Sequence, residues 1–143
     1  MAPRDWGKLL RDPSGDAVVR LTGAPGELAA AESAAEKLAF FRTRIDAKDA
    51  PDKGRLLAEF SRAFRFPDYF GANWDALFDC LTDLVDFRPA PGWLVVILDP
   101  ERLRGEDQDV LLKTLEAAAS YWRDRRPPRC LKVLLVPAPE SLL

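Results

Sequence analysis

The sequence contains no histidine. That removes the commonest general base, the usual zinc ligand and every Ser–His or Cys–His nucleophile arrangement. Only two cysteines occur, Cys80 and Cys130, and they have no metal-ligand spacing. They are expected to be free thiols, with Cys80 packed in the core. No run of 18 apolar residues exists, and the opening MAPRDWGKLL lacks the apolar stretch of a signal peptide. A soluble, cytoplasmic protein with no membrane contact is expected. One further absence is local: between Pro67 and Phe87 there is no lysine or arginine.

That stretch, PDYFGANWDALFDCLTDLVDF, holds five aspartates, Asp68, Asp75, Asp79, Asp83 and Asp86. It carries −5 in a chain whose formal net charge is −2, which leaves +3 for the remainder. Gly71 permits an irregular turn, Asn73 offers a capping oxygen, and Trp74 opens a helix that is expected to run to about Leu84 or Val85. At ~100° per residue, Trp74, Leu77, Phe78, Cys80, Leu81, Leu84 and Val85 fall within an arc of roughly 160°. Asp75, Asp79 and Asp83 form a ridge on the other side, with Trp74 and Phe78 at the border. The ridge costs local stability, because like charges one turn apart repel and Asp83 and Asp86 meet the negative end of the helix dipole. A solvated helix face normally interleaves cations with its anions. An all-acidic ridge bordered by aromatics reads instead as a docking surface for a cationic partner.

With 143 residues and 48% apolar content, the chain is expected to form one domain that buries an ordinary core. Asp5 to Arg11 suits a short helical turn, and Asp12-Pro13-Ser14-Gly15 is a turn signal. Ala17 to Leu21 reads as a strand, Gly26 to Leu38 as a helix and Ala39 to Ile45 as a strand, together a parallel, right-handed βαβ unit. Lys53 to Phe64 is amphipathic, with Leu56, Leu57, Phe60, Ala63 and Phe64 inward. Trp93 to Leu98 is apolar throughout, the pattern of a middle strand covered on both faces. Glu106 to about Arg123 forms a helix with Leu111, Leu115, Ala118 and Trp122 as its core stripe. A basic linker containing Arg123, Arg125, Arg126, Arg129 and Lys132 leads to a last strand, Leu131 to Val136, and a frayed tail.

The run Pro67-Asp68-Tyr69-Phe70-Gly71-x-Asn73-x-Asp75-Ala76-Leu77-Phe78-Asp79-Cys80-Leu81-Thr82 resembles the signature of the barstar family, intracellular inhibitors of barnase-type ribonucleases. The resemblance extends over about residues 40–136. It implies an α/β fold with a small parallel β-sheet of three strands, to which the N-terminal unit adds one, packed with helices. The expected organisation is a βα extension over residues 1–38, a barstar-like core over 39–136 and a tail over 137–143. It further implies that the acidic helix and its preceding loop enter a ribonuclease active site by imitating RNA phosphates. In that scheme Asp79 is the central carboxylate, Asp75 supports it, and Glu116 reaches in from the neighbouring helix. Tyr69, Phe70, Gly71, Asn73, Trp74 and Phe78 shape the contact, and Thr82, Asp83, Leu84 and Asp86 form the far rim. Three positions depart from the family's pattern: Trp74 is larger than the aliphatic residue expected, Phe78 replaces an indole, and Phe70 lacks a tyrosine hydroxyl. Such anchors govern which ribonuclease is recognised.

The expected partner is a secreted or toxin-type barnase-like ribonuclease, bound about one to one by a free monomer, with no cofactor and no nucleic acid bound directly. Three other readings are weaker. A metal-dependent hydrolase could use Asp75, Asp79 and Asp83 as ligands for Mg²⁺ or Mn²⁺, but no nucleophile or base accompanies them. The basic linker could bind nucleic acid, against a sequence pI of about 5.2. The fold could also serve as an adaptor for a partner that is not a nuclease.

Overall fold

The computed structural model describes residues 4–68 and 70–137. Its centre is the run that is apolar at every position. Strand β3 (Gly92–Leu98) has Trp93 to Ile97 buried on both faces, and β4 (Cys130–Val136) beside it is buried from Cys130 to Leu135. Two edge strands complete the sheet, β1 (Val18–Arg20) and β2 (Phe41–Asp46). The order is β1-β4-β3-β2 with every pair parallel; Phe41 aligns with Trp93, Trp93 with Leu131, and Val18 with Val133. A four-stranded parallel sheet matches the expected fold class. The expected βαβ unit does not form as such, because β1 and β2 lie at opposite edges. Only β3 and β4 are buried on both faces, so they take the central places. β2 leaves Arg42 and Arg44 exposed and β1 is three residues long, which suits each to an edge.

Helices cover both faces. On one side lie α1 (Trp6–Arg11) and α2 (Glu27–Lys37), whose Trp6, Leu10, Ala31 and Ala35 pack on Leu94, Val96, Cys130 and Leu134. The other side carries α3 (Lys53–Phe64), α4 (Trp74–Leu81), α5 (Leu84–Phe87) and α6 (Gly105–Arg123) on Trp93, Val95, Ile97, Leu131, Val133 and Leu135. The alternation of a strand's side chains thus divides one sheet into two separate cores. Sequence-local caps start three of the helices: Asp5 accepts from the Lys8 amide, Asp52 from Arg55, and Asn73 from Ala76 at 2.7 Å.

Lys132 is not part of a solvated basic linker. It sits on β4, buried, and its Nζ donates to the carbonyls of Asp12 (2.8 Å), Asp16 (3.0 Å) and Gly15 (3.4 Å). Burial pushes its pKa down, against the opposing pull of Cys130, Asp12 and Asp16. The cation ties the turn after α1 to the sheet and satisfies carbonyls that would otherwise be stranded. Among the described residues, no helix is long and apolar enough to cross a membrane.

Candidate functional site: the acidic helix and its flanks

The site is built on α4. Its apolar residues Leu77, Cys80 and Leu81 are fully buried, which turns Asp75 and Asp79 outward to solvent. Neither aspartate forms an ion pair among the described residues. Trp74 and Phe78 are half-buried at the border, as the helical spacing predicts. Buried Trp122 donates its indole N–H to the Leu81 carbonyl at 2.8 Å, which fixes the end of α4 against α6. The preceding loop rests on an aromatic brace: the Phe66 ring packs on Phe64 (5.6 Å between centroids), Phe70 (5.0 Å) and Phe87 (5.9 Å). Gly71 and Asn73 are exposed. The irregular turn falls one residue later than expected, since the left-handed residue is Ala72 at φ 53°. Tyr69 lies outside the described residues.

Three expectations need correction. First, the helix does not continue to Leu84 or Val85. It stops at Leu81, where the Thr82 hydroxyl turns back onto the carbonyls of Phe78 (3.0 Å) and Asp79 (3.1 Å), and a short second helix, α5, begins at Leu84. Repulsion along the aspartates and the unfavourable helix end both favour a break there. Asp83 stays beside Asp79, the two bordering a shallow hollow of about 260 Å³ with Thr82, and Asp86 is exposed. Second, Leu84 is no rim residue: it is 0% exposed, because an apolar residue after the break is better placed in the core. Third, Glu116 does not line the groove that α6 forms with α4. It is exposed, in a polar cleft with the 13–17 turn, Ser120 and Arg123.

A family model described as barstar (barnase inhibitor) matches residues 40–134. The chain belongs to the barstar family. Comparison with curated proteins finds no match. Two solved structures of the Aeropyrum Pernix ORC2 protein, in ADPNP–ADP complexes and in the ADP form, resemble the fold with a TM-score of 0.53, at 23% and 20% identity. Each match covers 85% of this chain and 34% of the other, so the chain spans about a third of those proteins' length.

Within this barstar-family fold, the residues that α6 brings to the acidic helix are ones the sequence reading passed over. A groove of about 330 Å³ between α4 and α6 is lined by Trp74, Asp75 and Phe78 on one side and Val110, Lys113, Thr114 and Ala117 on the other. The spacing of Val110, Thr114 and Ala117 at i, i+4, i+7 was the available signal, a second packed flank beside the main apolar stripe. From α3, Lys53 Nζ stands 6.0 Å from the centre of the Trp74 ring. The basic segment after α6 is largely engaged within the protein: Arg123 pairs with Asp124, Arg125 stacks on Tyr121 at 4.0 Å, and Arg129 donates to the Ala90 carbonyl at 2.7 Å. Among the described residues, no three acidic, cysteine or histidine side chains converge to hold a metal ion.

Proposed function

We propose that this barstar-family protein inhibits a barnase-type ribonuclease in the cytoplasm, one to one, by seating α4 and its preceding loop in the enzyme's cationic active site. The observation that carries this reading is Asp79, exposed and without an ion pair among the described residues, on a helix whose opposite face is locked into the core. A ribonuclease must gather cations to hold phosphate, so carboxylates on a rigid support can occupy its site without RNA. Asp79 is the central anion and Asp75 its support. Trp74, Phe78, Phe70, Tyr69, Gly71 and Asn73 shape the near side, and Thr82, Asp83 and Asp86 the far side. Leu84 and Glu116 are left out on the geometry above. The nucleotides of the Aeropyrum complexes do not transfer to this chain, whose sequence has no G-x-x-x-x-G-K-[S/T] run.

The test is titration of purified barnase-type ribonucleases with the wild type and Asp79→Ala at two salt concentrations. Stoichiometric inhibition is expected, associating more slowly in high salt, as for any encounter steered by opposed charge. Asp79→Ala should lose at least about 2 kcal/mol of binding, roughly 30-fold, as an interface hot spot does. Its unfolding free energy should change by less than about 0.5 kcal/mol, since an exposed carboxylate in a repulsive row contributes little to stability. No inhibition of several such enzymes by folded protein would move the reading to an adaptor that uses the same surface for another partner.

A further inference from the structure

The groove between α4 and α6 departs in charge from the ridge beside it. Lys113 is exposed in the same groove as Trp74, Asp75 and Phe78, and it forms no ion pair among the described residues, not even with Asp75. A second cation, Lys53, stands with its Nζ 6.0 Å from the centre of the Trp74 ring. Glu116, one turn along α6 from Lys113, does not line this groove and lies in the cleft with the 13–17 turn. The surface therefore carries two signs: anions along Asp75 and Asp79, and the cations Lys113 and Lys53 near Trp74. A partner that was cationic throughout would gain against the ridge and lose against the lysines, because like charges brought together in an interface are strongly unfavourable.

We propose that the α4–α6 groove receives an acidic side chain of the ribonuclease, carried beside its cationic active site, with Lys113 as the counter-ion and so the residue that selects among ribonucleases. This rests on the ribonuclease reading above. Trp74 supplies the apolar wall against which the incoming chain packs, and Lys113 supplies the charge that decides which chain is accepted. A surface of both signs also fixes the rotation of the partner on the ridge, which an all-acidic surface leaves loose.

The experiment takes a ribonuclease inhibited by the wild type and measures association and dissociation of Lys113→Ala, Lys113→Glu and Asp79→Ala. Lys113→Glu should weaken binding about tenfold or more at low salt, mostly in the association rate, with Lys113→Ala between it and the wild type and the gap narrowing at high salt. Reversing the facing acidic residue of the ribonuclease to lysine should restore binding to Lys113→Glu and weaken binding to the wild type. Unchanged or faster association of Lys113→Glu, while Asp79→Ala still loses inhibition, overturns this inference and leaves the ribonuclease reading standing. Loss of neither variant's inhibition, or no inhibition by the wild type, overturns both. Sedimentation of the free protein covers the remaining occupant: a dimer that Lys113→Glu dissolves would place a second copy of this chain in the groove, against the proposal.

Discussion

Cys80 sits where the two faces of α4 meet. Burial pushes its thiol up to about 11, and the nearby carboxylates of Asp83 and Asp79 push the same way. Between the ordinary thiol value of 9.0 and about 11 the folded protein keeps this proton while the unfolded chain releases it. The folded state then binds more protons, so stability falls as pH rises through that window, by at most ~1.4 kcal/mol per pH unit. Denaturant titrations from pH 9 to 10.5 should show a shallower decline for Cys80→Ala than for the wild type. Equal slopes would mean that the thiol does not feel the buried environment. At pH 8 the wild-type thiol should react with a disulfide reagent no faster than the protein opens, because the thiolate is the reactive form.

Among the elements, the α4–α5 break and the start of β3 set the geometry of the site. The break divides the aspartates between two short helices and sends Leu84 inward, while the parallel pair α4 and α6 makes the groove. β3 begins at Gly92, where a Cβ would stand 2.4 Å from the buried Phe40 ring. Trp93 follows at once and anchors the connector by donating its indole N–H to the Arg88 carbonyl at 2.8 Å, and Arg88 Nη2 in turn donates to Arg65 at the head of the acidic loop. Gly92→Ala must displace Phe40 from its pocket, and a loss of about 1–3 kcal/mol in unfolding free energy is expected. A Gly92→Ala protein as stable as the wild type would show that the Phe40 ring has room to move aside.

Across the whole molecule, the sheet is a wall between two cores, and the N-terminal segment builds one of them. α1 and α2 cover Leu94, Val96, Cys130 and Leu134, and Lys132 binds the turn between α1 and β1 from the sheet side. This layer lies outside the residues matched by the barstar family, which begin at 40, yet it shields the same two central strands that support α4 and α6. Leu10 is 0% exposed at its centre. Leu10→Ala should cost about 2–5 kcal/mol in a single cooperative transition. A separate early transition, with the main one unmoved, would show the N-terminal layer to be an independent unit. The site should be insensitive to Leu10→Ala below the melting transition, since α4 rests on the opposite core.

Much of this was legible in the chain. The all-apolar run at Trp93–Leu98 required a central strand, the Asn73 cap placed the start of α4 to the residue, and the 100° spacing separated Leu77, Cys80 and Leu81 from Asp75 and Asp79. Those are local matters: a capping oxygen, a period and a run of side chains act within a few residues of one another. Strand order was not legible, because it depends on competition among four strands for the buried middle of one sheet. Nor was the end of α4, where propensity favours continuation and the Thr82 hydroxyl and the helix-end charges prevail. The groove partners Lys113 and Ala117, and the outward turn of Glu116, follow from the angle at which α6 packs on α4. Lys113 and Glu116 are only about 60° apart around α6, yet the neighbours packed against that helix place Lys113 in the groove with α4 and Glu116 in the cleft with the 13–17 turn. Which charge faces the partner is therefore a property of packing between distant segments, and it appears only when both helices are set against the same sheet.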